Sequence, residues 1–306
     1  MEDYPRTLLE LEERFSTEEA CRGYLAQLRW PEGFRCPRCG HHKAWRTARG
    51  LHHCTQCGRQ SSELAGTIFQ DTQKPLCLWF RAIWHITTQK YGANALGLQR
   101  VLGLGSYQTA WEWLHKLRRA MVRPGRERLS GVVEVDEIYV GGERRGRRGR
   151  GADRKTLVVV AAEAKGPGTG RIRMRCVADA SRKSLEPAVR AAVAAGSHVQ
   201  TDGWGGYWGL VDLGYIHEVM LQEAEVGESR LPRVHQVASL VRRGLLGTYQ
   251  GAASPPHLDY YLDEFTFRFN RRTSRSRGKL FYRLVQQAVG VDPVPGTEIV
   301  GGTRNA

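Results

Sequence analysis

The chain has 306 residues, with 46 lysines and arginines against 31 acidic residues and a net charge of +15. That length suits two or more domains around a sizeable core, and the charge favours phosphate backbones as partners through counterion release. No apolar run suits a membrane span or a signal peptide, which argues against an integral membrane protein and a disulfide-stapled secreted one and leads us to expect a cytoplasmic, nucleoid-associated protein.

In chain order, Ser16 with Glu19 is a capping-box signature. It predicts a helix to about Trp30, stopped by Pro31 and Gly33, within an N-terminal helical segment of residues 1–33. Residues 34–62 read as a zinc ribbon. Cys36 and Cys39, then Cys54 and Cys57, form two Cys-x-x-Cys knuckles with 14 residues between them, the spacing of a tetrahedral zinc site. Gly40 and Gly58 follow each pair, where the backbone must fold back toward the metal. A redox Cys-x-x-Cys would come once, and a disulfide framework needs an oxidising compartment. Four thiolates fill the shell, so His41, His42, His52 and His53 are read as facing solvent or DNA, and Cys21, Cys77 and Cys176 as ordinary thiols. A structural zinc ribbon most often serves a nucleic-acid protein.

Residues 74–124 read as a small helical domain. Pro75 opens a helix with Leu76, Trp79, Phe80, Ile83 and Trp84 on one apolar stripe, and Gly92 breaks it. A second helix spans 94–102, Gly103 and Gly105 turn the chain, and Ser106 caps a third helix over 107–122, ended by Pro124. Three helices joined by short glycine turns suit a helix-turn-helix DNA-binding module. On the third, Gln108, Thr109, Glu112, His115, Lys116 and Arg119 are expected to face a groove, with Trp111, Leu114 and Leu117 inward. The plain alternative is a helical linker bundle; the neighbouring ribbon favours DNA.

After Pro124 the periodicity changes from helical to alternating. Gly131–Val140, Leu157–Glu163 and Ile172–Ala178 read as three strands, Leu185–Ala195 as a helix and Val199–Asp202 as a fourth strand. Three hairpin-ordered strands, a helix and a strand open an RNase H-like fold, so the fold class is α+β and multidomain: zinc ribbon, helical domain, and a mixed sheet flanked by helices. Asp136 lies within the first of these strands and Asp202 ends the fourth. Two aspartates on neighbouring strands can bind a divalent metal through oxygen, and a carboxylate in an apolar strand needs such a partner. Periodicity alone does not choose among Asp136, Glu134 on the same face and Glu137 on the other, and Asp202 also suits an ordinary Asp-Gly turn. Two basic runs flank this core. Arg144, Arg145, Arg147, Arg148, Arg150, Arg154 and Lys155 form one, and Arg268, Arg271, Arg272, Arg275, Arg277 and Lys279 the other. The first is laced with glycine and has no apolar face, which favours DNA over a membrane surface.

Several long segments together resemble the bacterial and archaeal insertion-sequence transposases that place a zinc ribbon and a helix-turn-helix ahead of an RNase H-like, DDE-type catalytic core. They begin at Arg29 (RWPEGFRCPRCG), Glu134 (EVDEIYVGG), Thr201 (TDGWGGY) and Tyr261 (YLDEFTFRFNRR), and the likeness runs over about residues 5–290. It implies a catalytic domain at 130–290, leaving 291–306 as a flexible tail. It also implies double-stranded DNA as partner, both the terminal inverted repeats of an element and the target, and a homo-oligomer on that DNA. Asp136 and Asp202 become the first two members of an acidic triad that binds two magnesium ions.

At the third position this sequence departs from the resemblance, which implies a Glu, or sometimes Asn or His, seven residues before a Lys on a helix. Here His235 precedes Arg242 by that spacing, on a helix starting near Pro232, so both side chains share a face. His235 then takes the third ligand position, and Arg242 faces DNA phosphate. A neutral imidazole binds magnesium or manganese less well than a carboxylate does. Glu223, Glu225 or Glu228 could supply an acid instead. Arg271 and Arg272, after a helix over Pro256–Asn270, are expected to touch DNA or to pair with Glu264. The function so implied is a DNA transposase that cleaves and transfers strands with Mg²⁺ or Mn²⁺ alongside structural Zn²⁺. A structure-specific nuclease, or a non-catalytic zinc-ribbon regulator, are the alternatives.

Overall fold

The computed structural model describes residues 2–123, 125–141, 155–220, 230–250 and 253–302. In chain order the first elements are α1 (Leu8–Arg14), α2 (Glu18–Arg29), β1 (Ala44–Arg46), β2 (His52–Cys54), β3 (Gln60–Ser61), α3 (Leu76–Thr88), α4 (Ala95–Leu102) and α5 (Tyr107–Ala120). There follow β4 (Val132–Val140), β5 (Thr156–Lys165), β6 (Gly168–Val177), α6 (Arg182–Ala192), β7 (His198–Thr201), β8 (Ile216–Val219), α7 (Pro232–Tyr249), α8 (Leu258–Phe269), α9 (Arg277–Ala288) and α10 (Gly296–Val300). No described helix is long and apolar enough to cross a membrane.

The chain divides into two compact units. One joins Met1–Pro124 to Ser274–Ala306, and the other is Gly125–Thr273. In the first, aromatic side chains from opposite ends of the sequence share a core. Phe15 meets Phe80 at 4.7 Å between ring centroids, Phe80 meets Phe281 of α9 at 5.7 Å, and Trp79 of α3 stacks on Trp113 of α5 at 3.9 Å. The domain boundary expected at 290 therefore falls at 273, and the expected tail contains α10 with a buried Ile299. The apolar stripe of α9 says that the helix packs; it does not say against which neighbour.

Two local details differ from the sequence expectation. The α2 cap is Thr17, whose Oγ1 accepts from the Ala20 N–H at 3.2 Å, while Ser16 donates to the Glu13 carbonyl at the end of a separate α1. On α5 the buried face is Trp113, Leu114 and Leu117 together with His115 and Arg118. His115 is thus not available to a groove: its Nδ1 lies 2.9 Å from the Trp111 carbonyl. The α5 sequence carries aromatics at both 111 and 113; Leu114 and Leu117 are buried as expected, but Trp113 rather than Trp111 joins them.

The second unit is built on a five-stranded sheet in the order β6-β5-β4-β7-β8. β4, β5 and β6 are antiparallel neighbours, whereas β7 joins β4 and β8 in parallel. α6 packs on the face carrying Val133, Val135, Val159 and Ala161. α7 and α8 cover the other, where Ile138, Val140, Val158 and Val160 point. This is an RNase H-like core, as the strand order predicts. β8 had no sequence signal: it has four residues and mostly exposed side chains. The β6 edge is closed by α8, since Asn270 accepts from the Ile172 N–H at 2.7 Å and donates to its carbonyl at 3.1 Å. Such pairing blunts an edge that would otherwise recruit another strand.

Candidate active site and metal centres

In the ribbon, the loops before β1 and after β2 bring the Sγ atoms of Cys36, Cys39, Cys54 and Cys57 within 4.8 Å of one another. The Cys36–Cys57 and Cys39–Cys54 separations are both 3.6 Å, close to the edge of about 3.8 Å that follows from a Zn–S bond of about 2.3 Å in a tetrahedron. Gly40 and Gly58 hold φ of 72° and 68° and return their N–H groups to the carbonyls of Cys36 and Cys54, which is what turns each knuckle. The Cys57 backbone N–H, aimed at the Cys54 sulfur, draws that thiol below its ordinary value and toward the thiolate a metal requires. The neighbouring histidines are engaged elsewhere. His52 lies between Trp30 and Phe34, His53 stacks on Trp45, and His41 meets Thr55 Oγ1 at 3.0 Å. The donor set therefore fits a closed four-thiolate centre.

The second centre is carboxylate-rich. β4 and β7 run in parallel with Glu134 beside Gln200, so two residues further along each chain Asp136 comes alongside Asp202. Asp136 is largely buried, and its Oδ1 accepts from the Glu137 N–H at 2.8 Å. Burial, then Glu137, then Asp202 push its carboxyl up to about 6. Asp202 is exposed at the mouth of the β7 loop, where it accepts from the Trp204 N–H at 3.0 Å. α7 brings His235 Nε2 to 3.4 Å from Asp136 Oδ2. A largely buried carboxylate crowded by two others and faced by an imidazole suits a divalent cation, which would relieve the repulsion. Among the described residues the cysteine group is the one whose ligand atoms all fall within 4.8 Å; the Asp136, Asp202 and His235 atoms are spread more widely.

Two neighbours of this centre escaped the sequence reading in their roles. Glu137, on the opposite face, accepts from Tyr207 Oη at 2.9 Å. Glu134 is buried and accepts from Arg233 and from the first turn of α7. The signal for Glu137 was its place beside Asp136; the partner of Glu134 is 99 residues away and left none.

The expected DNA-contacting residues separate into groups. Gln108 is exposed and donates to Glu112 at 3.1 Å; Thr109 and Lys116 are half-buried; Arg119 faces Glu298 of α10 at 3.8 Å. Arg242 is exposed on α7, two turns beyond His235. Arg271 lies over the Phe267 ring at the end of α8, and Arg272 donates to the Thr169, Gly170 and Phe269 carbonyls, tying the end of α8 to the β5–β6 hairpin. Arg268, not Arg271 or Arg272, faces Glu264, at 3.5 Å. Arg144, Arg145, Arg147 and Arg148 lie outside the described residues, as do Glu223, Glu225 and Glu228.

Residues 128–270 match the ISXO2-like transposase domain, and residues 16–60 match the transposase zinc-ribbon domain. An uncharacterised protein in transposable element ISH50 of Halobacterium salinarum is 29% identical over 298 residues, an alignment that covers 87% of this chain and 94% of that protein. The ribbon and the five-stranded sheet agree with these matches in order and position: the chain carries segments that match the zinc-ribbon and transposase domains of the insertion-sequence transposases its sequence resembles.

Proposed function

We propose that this chain is an active DNA transposase that binds the ends of its element and cleaves and transfers DNA strands. The observation that carries the proposal is the approach of His235 on α7 to Asp136 in the middle of β4, Nε2 to Oδ2 at 3.4 Å, with Asp202 following the neighbouring strand β7. These three would hold magnesium or manganese, and Cys36, Cys39, Cys54 and Cys57 would hold zinc. When bound, divalent ions at such a site favour in-line attack on a phosphodiester and stabilise the departing oxygen. The chain's own residues orient and exclude. Asp136 is fixed by the Glu137 N–H and Asp202 by the Trp204 N–H, so neither carboxylate must be reorganised on binding. Arg242, on the same helix face as His235, supplies a cation for a phosphate beside the cleaved one. On α5, Gln108, Thr109 and Lys116 supply the face that reads a groove.

The test uses labelled duplex ending in the element's own terminal repeat, with cleavage and joining scored separately. Asp136→Asn and Asp202→Asn should each abolish both steps and leave DNA affinity within about twofold, because the carboxylates hold metal rather than DNA. Full activity in either variant would refute the assignment. Cleavage without joining in the wild type would favour the nuclease reading.

A further inference from the structure

The electrostatic clasp between β4 and α7 has no role in holding metal, yet it sits between two residues that do. Glu134 is 1% exposed. Its Oε2 accepts from the backbone N–H groups of Arg233 and Val234 at 2.8 and 3.0 Å, and its Oε1 accepts from Arg233 Nη1 at 2.7 Å. Both oxygens are thus satisfied by protein donors, which removes Glu134 from the set of acids free to bind a cation. α7 has no cap of its own: the N-cap residue is Leu231, without a side-chain bond, and Pro232 follows. The two N–H groups that Glu134 accepts are the orphan donors of that first turn, so a strand carboxylate caps a helix that the local sequence leaves uncapped. Arg233 completes the grip by donating through Nε and Nη2 to the Gly168 and Gly166 carbonyls of the β5–β6 turn.

The position of this grip matters. Glu134 and Asp136 lie on one face of β4, two residues apart, and Arg233 and His235 lie two residues apart in the opening turn of α7. With the first pair locked, both the axial position and the rotation of α7 are set where its imidazole meets the second pair's carboxylate. We infer that Glu134 is a positioning residue: through Arg233 and the first turn of α7 it holds His235 against Asp136 and so sets the affinity of the site for a divalent cation. The inference rests on the proposal that Asp136 and His235 share a metal.

The experiment measures Mn²⁺ binding to the full-length, zinc-loaded protein by calorimetry. Outer partners that orient a ligand typically contribute 10- to 100-fold in metal affinity. Glu134→Asp keeps the charge but shortens the reach, and should weaken Mn²⁺ binding about tenfold with DNA affinity unchanged. In a His235→Ala background the same change should have no further effect, because the residue it positions is gone. An equal loss in both backgrounds, or no loss in the first, overturns the inference. Should Glu134→Asp fail to fold, Arg233→Lys replaces it; it keeps the ion pair but loses the hold on the Gly166 and Gly168 carbonyls, and the same two-background comparison applies. Asp136→Asn is the separate control. Undiminished Mn²⁺ binding in that variant would defeat the metal reading itself, independently of Glu134.

Discussion

Asp136, the proposed metal ligand, works against the fold that carries it. Its carboxyl is raised from 3.8 to about 6 by burial first and by Glu137 and Asp202 next. In the window between those values the folded protein holds a proton that the unfolded chain has released. The Asp136 contribution to stability without added divalent cation is therefore greatest at acid pH and is lost as pH rises from 3.8 to about 6. The difference amounts to about 3 kcal/mol. Asp136→Asn should accordingly raise the melting temperature of magnesium-free, zinc-loaded protein at pH 7.5 and keep only about half of that advantage at pH 5; a flat comparison across that range would show that the carboxylate is not strained. Metal binding runs the other way. It needs the ionised carboxylate, so Mn²⁺ affinity should fall about tenfold per unit below pH 6. Asp136 is legible in the sequence because a carboxylate in a β-branched strand is costly without a partner. The sequence could not separate Asp136 from Glu134, since both share a face; the answer lies in Arg233, which only the folded chain brings near.

At the level of elements, the ribbon was readable because its chemistry is local. Two knuckles, two glycines and their spacing specify the turn, the ligand and the geometry together. The prediction is correspondingly local. Cys54→Ser should reduce bound zinc from one per chain to a small fraction and abolish the near-ultraviolet signal of Trp30, which meets His52 of β2 edge-on, and of Trp45, which stacks on His53. The far-ultraviolet signal of the five-stranded sheet should persist. Retention of stoichiometric zinc would mean that a nearby histidine can substitute. Elements fixed by distant partners were less legible. On α5 the sequence leaves open which aromatic joins Leu114 and Leu117 in the core, because both Trp111 and Trp113 satisfy a helical stripe, and the choice is made by Trp79 on α3. β8 is held by pairing with β7 rather than by apolar content, so its composition gave nothing to read.

For the whole molecule, a net charge of +15 sets how DNA affinity responds to salt. Binding should weaken linearly in log–log form with salt, with a slope of about 0.9 per phosphate neutralised. Arg242→Gln should flatten that slope by about one unit, whereas Arg272→Gln should act on stability instead, because its donors are spent on carbonyls. Equal slopes for wild type and Arg242→Gln would remove Arg242 from the phosphate contacts. The division into two units was legible only in part. Nothing in residues 274–300 announced that they belong with the beginning of the chain.

That return has a consequence for how the protein is made. A ribosome delivers the ribbon and the first helices early, and domains usually fold in that order as they emerge. Here the aromatic core around Phe15 and Phe80 waits for Phe281, which is synthesised after the entire catalytic unit. A nascent or prematurely ended chain therefore holds its N-terminal unit open, and a product stopped at Thr273 should melt well below the full chain and bind DNA poorly. Completion of the first unit thereby waits on residues translated after Thr273.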